Sequence, residues 1–440
     1  MTRSNNSSYG AKRVRWLTLP NVTLRWRRGL AVLLLLPLLA LTGCGADPVP
    51  PPAPIVSPLP HVAEQVWNSR GHLVHQEPYD DPPLADPDAV LGQAWRAVYT
   101  SVSGLDGGMR EISGAFFVPR GTPPDNGWPV ISIAHGTVGI GNNCGPSRQP
   151  NLQGYGFLIR GLLASNYAVA LTDYEGLGET GSHPYLEPRT AAFNTIDAVR
   201  AMRNLTPKVS TRWIAVGYSQ GGQAVWVANE LDSYYGSGLQ LQGSVALAPA
   251  TNLSGAAGLA LSKSMSVEQR ALFPTLIVGL ARYNPDLDPQ AFLHERTKSY
   301  QRSLSRCKVN PRTPRRAPTV SAPVLWQPVV DRVRESNDFT PASPQDDKKL
   351  QEVLRRVAIP DRPLEKPMLV ISADHDGVIS PEWVQFAVSR SCALGGKIRY
   401  LQVGANHQDI LWKVSRPVNR WIEDRFAGAA PPSNCHAAQG

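Results

Sequence analysis

The pentapeptide Gly217-Tyr218-Ser219-Gln220-Gly221 follows the apolar run Trp213-Ile214-Ala215-Val216 and precedes the small-then-apolar run Gly222-Gln223-Ala224-Val225-Trp226-Val227-Ala228. In a strand-to-helix setting, a Gly-x-Ser-x-Gly turn exposes the serine hydroxyl at the strand end and aims the next backbone N–H at a developing oxyanion. A bare match can also be an ordinary glycine-serine turn, and the flanking pattern favours the nucleophile. A serine hydroxyl attacks poorly until an imidazole removes its proton and a carboxylate orients that imidazole.

In a fold that carries such an elbow, the acid and then the histidine follow the serine along the chain. Asp374 and Asp376 both follow the apolar run Met368-Leu369-Val370-Ile371-Ser372-Ala373. Asp376 is preferred, because Gly377-Val378-Ile379-Ser380-Pro381 lets the chain fold back beside it, while Asp374 reads as a turn cap. His407 lies in the loop Gly404-Ala405-Asn406-His407-Gln408-Asp409, after the short strand Ile398-Arg399-Tyr400-Leu401-Gln402-Val403. It is the expected general base, with His375 the alternative. An oxyanion site needs two donors. The N–H of Gln220 is one, and the N–H of Thr137, in His135-Gly136-Thr137 after the strand ending at Ala134, is the other. His135 is read as a structural orienter rather than a base.

Elements must bring these groups together. Ala115–Pro119, Trp128–Ala134, Tyr167–Thr172, Trp213–Val216, Val245–Ala250, Met368–Ala373 and Ile398–Val403 read as strands. Gly156–Ala164 and Ala191–Met202 carry helical spacing between them. The alternation predicts an α/β fold, a mostly parallel sheet covered by helices on both faces. Asp173-Tyr174-Glu175-Gly176-Leu177-Gly178, followed by His183-Pro184-Tyr185, leaves the sheet at the same edge. There Asp173 ties loop N–H groups and Tyr174 lines the pocket, or the stretch is a glycine-rich turn closed by its acid. From Ala250 to about Arg362 the strand pattern stops, with an apolar helical stretch over Leu272–Leu280 and a polar, proline-marked stretch over Lys308–Pro323. This is far longer than a crossover loop and predicts a mainly helical cap over the carboxyl ends of the sheet.

The first residues carry Lys12, Arg13, Arg15, Arg25, Arg27 and Arg28, then an apolar segment from Leu30 to Leu41 broken only by Pro37. That is an export signal, too short to span a bilayer comfortably as a permanent helix. Leu41-Thr42-Gly43-Cys44 resembles the lipobox of bacterial lipoproteins, in which the cysteine is diacylated and becomes the mature terminus. The expected organisation is a signal peptide over 1–43, a proline-rich tether over 44–60 outside the core, α/β core over 61–250, cap over 251–362 and core again over 363–440. The protein is expected outside the cell, a monomer on the outer membrane face through Cys44 or secreted free. The net charge of +9 includes positive residues of the removed segment, so the mature chain is only mildly basic. Arg312, Arg315 and Arg316 have no aromatic interleaving, and no nucleic-acid partner is expected. Cys144, Cys307, Cys392 and Cys435 allow two disulfides in three pairings, and no Cys-x-x-Cys element suggests a metal.

From about Leu91 onward the chain resembles the secretory lipase family, known from fungi and with many actinobacterial members. The resemblance rests on His135-Gly136-Thr137, Asn142-Asn143-Cys144-Gly145-Pro146-Ser147, Asp173-Tyr174-Glu175-Gly176-Leu177-Gly178, His183-Pro184-Tyr185 and Gly217-Tyr218-Ser219-Gln220-Gly221-Gly222. It implies an α/β-hydrolase fold with a helical cap, a triad of Ser219, Asp376 and His407, and hydrolysis of lipid or other apolar carboxylic esters without a cofactor. It further implies Cys144 paired with Cys307 and Cys392 with Cys435. A short-chain or polyester esterase, a serine peptidase and a non-catalytic surface binding protein are the competing readings of the same residues.

Overall fold

The computed structural model describes residues 50–84, 86–294, 307 and 339–435. Among the described residues nine strands form one sheet: β1 (Leu73–Pro78), β2 (Leu91–Val102), β3 (Met109–Pro119), β4 (Trp128–Ala134), β5 (Ala168–Thr172), β6 (Val209–Tyr218), β7 (Gln240–Leu247), β8 (Met368–Ala373) and β9 (Ile398–Val403). Their order is β1-β2-β3-β5-β4-β6-β7-β8-β9. The first three are joined antiparallel and meet β5 antiparallel, whereas every pairing from β5 through β9 is parallel. The mostly parallel α/β sheet read from the sequence is therefore present, with an antiparallel extension at one edge.

β1, at the sheet edge, and its neighbour β2 escape the sequence reading because strands left partly open to solvent carry mixed chemistry. β2 contains Gln93 and Arg96, and in its first half Gly92 and Gln93 are exposed and only Ala94 is buried. The central strands β4, β5 and β8 are near-continuous apolar runs because helices bury both of their faces. β7 begins at Gln240 and ends at Leu247, earlier than the expected Val245–Ala250, because Ala248 takes a positive φ of 41° and turns the chain out of the sheet.

Alternation along the strands sends side chains to two cores. On one face, Val130, Ala170, Trp213, Ala246 and Val370 pack with helices α2 (Pro188–Leu205) and α3 (Gln220–Glu230), through Phe193, Ile196 and Trp226. On the other, Ile131, Val169, Ile214, Val245 and Leu369 meet Ile159 and Leu162 of α1 (Gly156–Ala164) and Trp421 and Ile422 of α8 (Ser415–Phe426). Helix α2 starts where Glu187 accepts the Thr190 N–H at 2.7 Å and Pro188 fills the first turn, whose N–H would have had no partner.

Between β7 and β8 the described residues form α4 (Gly255–Leu261), α5 (Val267–Ala281), a 3-10 turn (Pro289–Ala291) and α6 (Pro344–Arg356). This is the helical cap, and its Lys308–Pro323 stretch, including Arg312, Arg315 and Arg316, lies outside the described residues. A capping box starts α5, with the Ser266 hydroxyl accepting the Gln269 N–H and the Gln269 side chain accepting the Ser266 N–H, each at 2.9 Å. Helix α7 (Pro381–Ala393) follows β8.

The proline-rich segment is described only from Pro50. From residue 50 onward it lies against the body, where an extended chain with no internal hydrogen bonds offers its carbonyls to neighbours. Asn252 donates to the Pro52 carbonyl at 2.6 Å, Arg355 to Ala53 at 2.9 Å, Arg362 to Ser57 at 2.8 Å and Arg189 to Pro58 at 2.7 Å. The signal segment and Cys44 lie outside the described residues. Disulfides join Cys144 to Cys307 and Cys392 to Cys435, the pairing implied by the family resemblance.

Candidate active site

β4 lies between β5 and β6, so the chain leaves β4 in one direction across the sheet and returns past it in the other. Such a switch point opens a crevice at the carboxyl ends of the strands. Because β4, β6, β8 and β9 all run the same way, His135-Gly136-Thr137, Ser219, Asp376 and His407 emerge at that one edge.

Ser219 sits between β6 and α3 with φ 57° and ψ −117°, a strained conformation that turns its hydroxyl outward. The flanking glycines permit it. A Cβ on Gly217 would lie 2.0 Å from the Gly221 carbonyl oxygen, and one on Gly221 would lie 1.9 Å from that of Ala134. A side chain at 221 would push the elbow off β4, and one at 217 would push the helix start off the end of β6.

The Ser219 hydroxyl oxygen is 3.0 Å from Nε2 of His407, and Nδ1 of His407 is 2.7 Å from Oδ2 of Asp376. Oδ1 of Asp376 accepts the N–H groups of Val378 and Ile379, both at 2.8 Å, so the fold-back after Gly377 holds the carboxylate. Ser219 and His407 are buried, and the Asp376 side chain is 2% exposed. Asn406 accepts the N–H groups of Gln408 and Asp409 at 3.0 and 2.8 Å, which sets the loop just before the helical turn Ile410–Lys413. The alternatives stand apart from the serine. His375 is an exposed residue whose Nδ1 lies 2.6 Å from Oδ1 of Asp374, and that oxygen also accepts the Ala405 N–H at 3.0 Å.

Thr137 and Gln220 line the same cleft as Ser219. Gln220 opens α3, so its N–H is one of the donors a helix leaves unpaired at its start, at the positive end of the helix dipole. The Gly136 N–H is committed to the Tyr155 hydroxyl at 2.9 Å, and Thr137 is the next residue along. Tyr155 was not singled out in the sequence, where nothing marks a tyrosine ahead of a helix as the support of a distant loop.

His135 is fully buried, with Nδ1 2.7 Å from the Gly136 carbonyl oxygen and Nε2 3.2 Å from that of Asp173. Burial pulls its pKa down to about 4, which keeps it neutral and structural. Asp173 accepts from the Ser147 N–H at 2.8 Å and the Ser113 hydroxyl at 2.6 Å, and burial pushes its pKa up to about 6 despite these bonds. Tyr174 does not line the cleft. It is a buried strut at φ 68°, its ring 4.2 Å from that of His135 and its hydroxyl donating to the His135 carbonyl at 3.1 Å.

The cleft, which is open to solvent on one side, spans about 570 Å³ including that open space. Its walls include Leu253, Met265, Leu272, Phe273 and Leu276 from the cap side and Ile379 and Trp383 from the segment after β8. Among the described lining residues none carries a formal charge, so the walls suit an apolar chain. Helical spacing of Leu272 and Leu276 was visible in the sequence, but not that this face turns toward Ser219. Among the described residues no group of acids, histidines and cysteines could hold a metal ion.

The sequence matches the family described as secretory lipase over residues 151–434. No curated protein is similar enough to match it. Among solved structures, lipase A of Candida antarctica superposes with a TM-score of 0.63 at 16% identity, covering 85% of this chain and 86% of that one. The rice cell wall degrading esterase LipA of Xanthomonas oryzae gives 0.63 at 17%, covering 81% and 98%. A hydrolase of Legionella pneumophila gives 0.62 at 17%, covering 81% and 99%. At these identities the likeness is one of fold.

Proposed function

This chain belongs to the secretory lipase family, and from that premise we propose that Ser219, His407 and Asp376 carry its esterase chemistry on acylglycerols or other apolar acyl esters. It is a serine hydrolase of carboxylic esters of a lipase type. The observation that carries the assignment of residues is the chain of 3.0 and 2.7 Å contacts from Ser219 through His407 to Asp376, at the foot of an uncharged apolar cleft.

In the first half-reaction, Ser219 Oγ bonds to the ester carbonyl carbon as its proton passes to His407 Nε2, and the carbonyl oxygen becomes an oxyanion held by the N–H groups of Gln220 and Thr137. The intermediate collapses, the carbon–oxygen bond to the alcohol breaks, and His407 returns its proton to the departing oxygen. Water then gives a proton to His407 as its oxygen bonds to the acyl carbon, and the second intermediate collapses: the bond from that carbon to Ser219 Oγ breaks, His407 returns the proton to Oγ, and the acid leaves. Asp376 keeps the Nδ1–H pointed at itself throughout, which leaves Nε2 free to act as the base.

The test is hydrolysis of p-nitrophenyl esters from short to long chain by protein beginning after Cys44, beside Ser219→Ala. Serine-dependent turnover that rises with chain length is the expected result. A short-chain optimum would replace lipase by general esterase, and undiminished turnover by Ser219→Ala would remove the reading altogether. The family is one of exported enzymes. Within that setting Cys44 is the proposed site of a diacyl anchor, supported by the basic and apolar segment ahead of Leu41-Thr42-Gly43-Cys44. Fatty-acid labelling of the whole chain that disappears in Cys44→Ala is the expected outcome, and equal labelling of both would refute it.

A further inference from the structure

The loop between β5 and α2 carries His183 and Tyr185, 2% and 5% exposed, and each touches a different residue of the oxyanion site. Nδ1 of His183 is 2.8 Å from the carbonyl oxygen of Glu175. A carbonyl only accepts, so Nδ1 carries the proton and Nε2 is a bare lone pair. Burial pulls the pKa of this imidazole down to about 3, which keeps that lone pair available at any working pH. Nε2 lies 3.1 Å from the side-chain nitrogen of Gln220. The Gln220 amide therefore has one permitted orientation, with NH₂ toward His183 and its buried oxygen directed elsewhere, where no group among the described residues bonds it. Two residues on, the Tyr185 hydroxyl is 2.8 Å from the hydroxyl of Thr137.

We propose that His183 and Tyr185 are positioning residues that hold the two oxyanion donors, Gln220 and Thr137, at a shared spacing. This rests on the reading of Ser219 as the nucleophile. The β4–β6 ladder runs as far as Ala134 opposite Gly217, and Thr137 and Gln220 each lie three residues beyond that pair, so the ladder brings the two segments together but does not itself fix the distance between their N–H groups. The His183-Pro184-Tyr185 segment does so by gripping both side chains from one rigid tripeptide. The cap leans on the same segment. The Tyr283 hydroxyl donates to the Tyr185 carbonyl at 2.9 Å, and Gly279 of α5 packs so closely that a Cβ there would come 2.7 Å from the Cβ of Tyr185.

Donors of this kind act on charge that exists only in the transition state, so loosening them lowers kcat and leaves KM nearly alone. Loss of a whole donor costs on the order of 100- to 1,000-fold, so a displaced one is expected to cost about 10- to 100-fold. The experiment measures kcat and KM on a p-nitrophenyl ester, and the affinity for an alkyl boronic acid as a tetrahedral mimic, in Tyr185→Phe, His183→Phe and His183→Gln. Tyr185→Phe and His183→Phe should each lower kcat and boronate affinity by similar factors with KM within about threefold. His183→Gln should recover most of the loss, because a carboxamide again offers one donor to Glu175 and one acceptor to Gln220. Unchanged kcat in folded Tyr185→Phe and His183→Phe, or an effect on KM alone, would overturn the proposal, as would a fall in melting temperature with kcat intact. Ser219→Ala separates the two claims. If it is inactive while Tyr185→Phe turns over normally, only the positioning role fails; if it stays active, the assignment of the nucleophile fails first.

Discussion

Replacing Asp376 by asparagine keeps the shape of the side chain and removes its freedom to accept on both faces. One oxygen takes the Val378 and Ile379 N–H groups at 2.8 Å each, and the other faces Nδ1 of His407 at 2.7 Å. With its oxygen toward Val378 and Ile379, an asparagine keeps both loop bonds and presents NH₂ to Nδ1. That nitrogen must then accept, the ring proton moves to Nε2, and the atom facing Ser219 is no longer a base. The reverse orientation preserves the tautomer but sets NH₂ against two N–H donors, at about 1–3 kcal/mol for each group left unpaired. The difference of roughly 2–6 kcal/mol selects the inactive orientation, leaving between about one molecule in 30 and about one in 25,000 competent. Asp376→Asn is therefore expected to lower kcat by about 30-fold to about 25,000-fold, with KM and the urea midpoint little changed. The assay is steady-state ester hydrolysis with denaturation checked in parallel, and Asp374→Asn as control should stay within about threefold of the parent, as a surface acid does. Folded Asp376→Asn within tenfold of the parent would refute the reasoning, and an equal loss in Asp374→Asn would move the acid to that residue.

Breaking the Cys392–Cys435 bridge with paired serines should destabilise the protein by about 4 kcal/mol, the loop-closure entropy for its sequence separation of 43. Urea unfolding checks this, and the folded fraction should hydrolyse esters normally, since the bridge joins the end of α7 to the C-terminal residues rather than to Ser219. Gly279→Ala should push α5 against Tyr185 and lower kcat more than KM, a split read from steady-state kinetics. Acid should weaken the fold through His183, because its pKa of about 3 lies below the unfolded value of 6.5. Its contribution is complete above pH 6.5 and is lost as pH falls toward 3. Between pH 7 and 5 the unfolded chain gains about 1.5 units' worth of proton affinity at this site, or roughly 2 kcal/mol. His183→Phe should therefore lose about 2 kcal/mol less than the parent over that interval. Asp173, raised to about 6, works in the opposite sense in both proteins and drops out of the difference, and parallel pH curves would refute the assignment.

The strands nearest the site were readable because both faces of each are covered, which leaves apolar runs such as Val130–Ala134 and Met368–Ala373 between loop signals. β1 and β2 were not, because their exposed faces accept polar residues and dilute the pattern. The loop after β5 was picked out as a motif, yet its division of labour was hidden. Tyr174 packs inward against His135 instead of lining the cleft, and His183 and Tyr185 reach Gln220 and Thr137. Nothing in a local sequence window states which way a side chain on an irregular loop will turn.

Sequence by itself determined the reactive types, their order and their immediate settings: a serine between two glycines after a strand, an acid before a fold-back, and a histidine in a short loop. Those properties are local, since a turn residue, a β-run or a helix start is specified by neighbours a few positions away. Which of Asp374 and Asp376 meets the imidazole, and what surrounds Ser219, was decided only by tertiary structure. Ser219 and His407 are 188 residues apart in the chain and 3.0 Å apart in the fold. Their meeting depends on strand order and register across the whole sheet, which the packing of both cores sets together and no single segment carries.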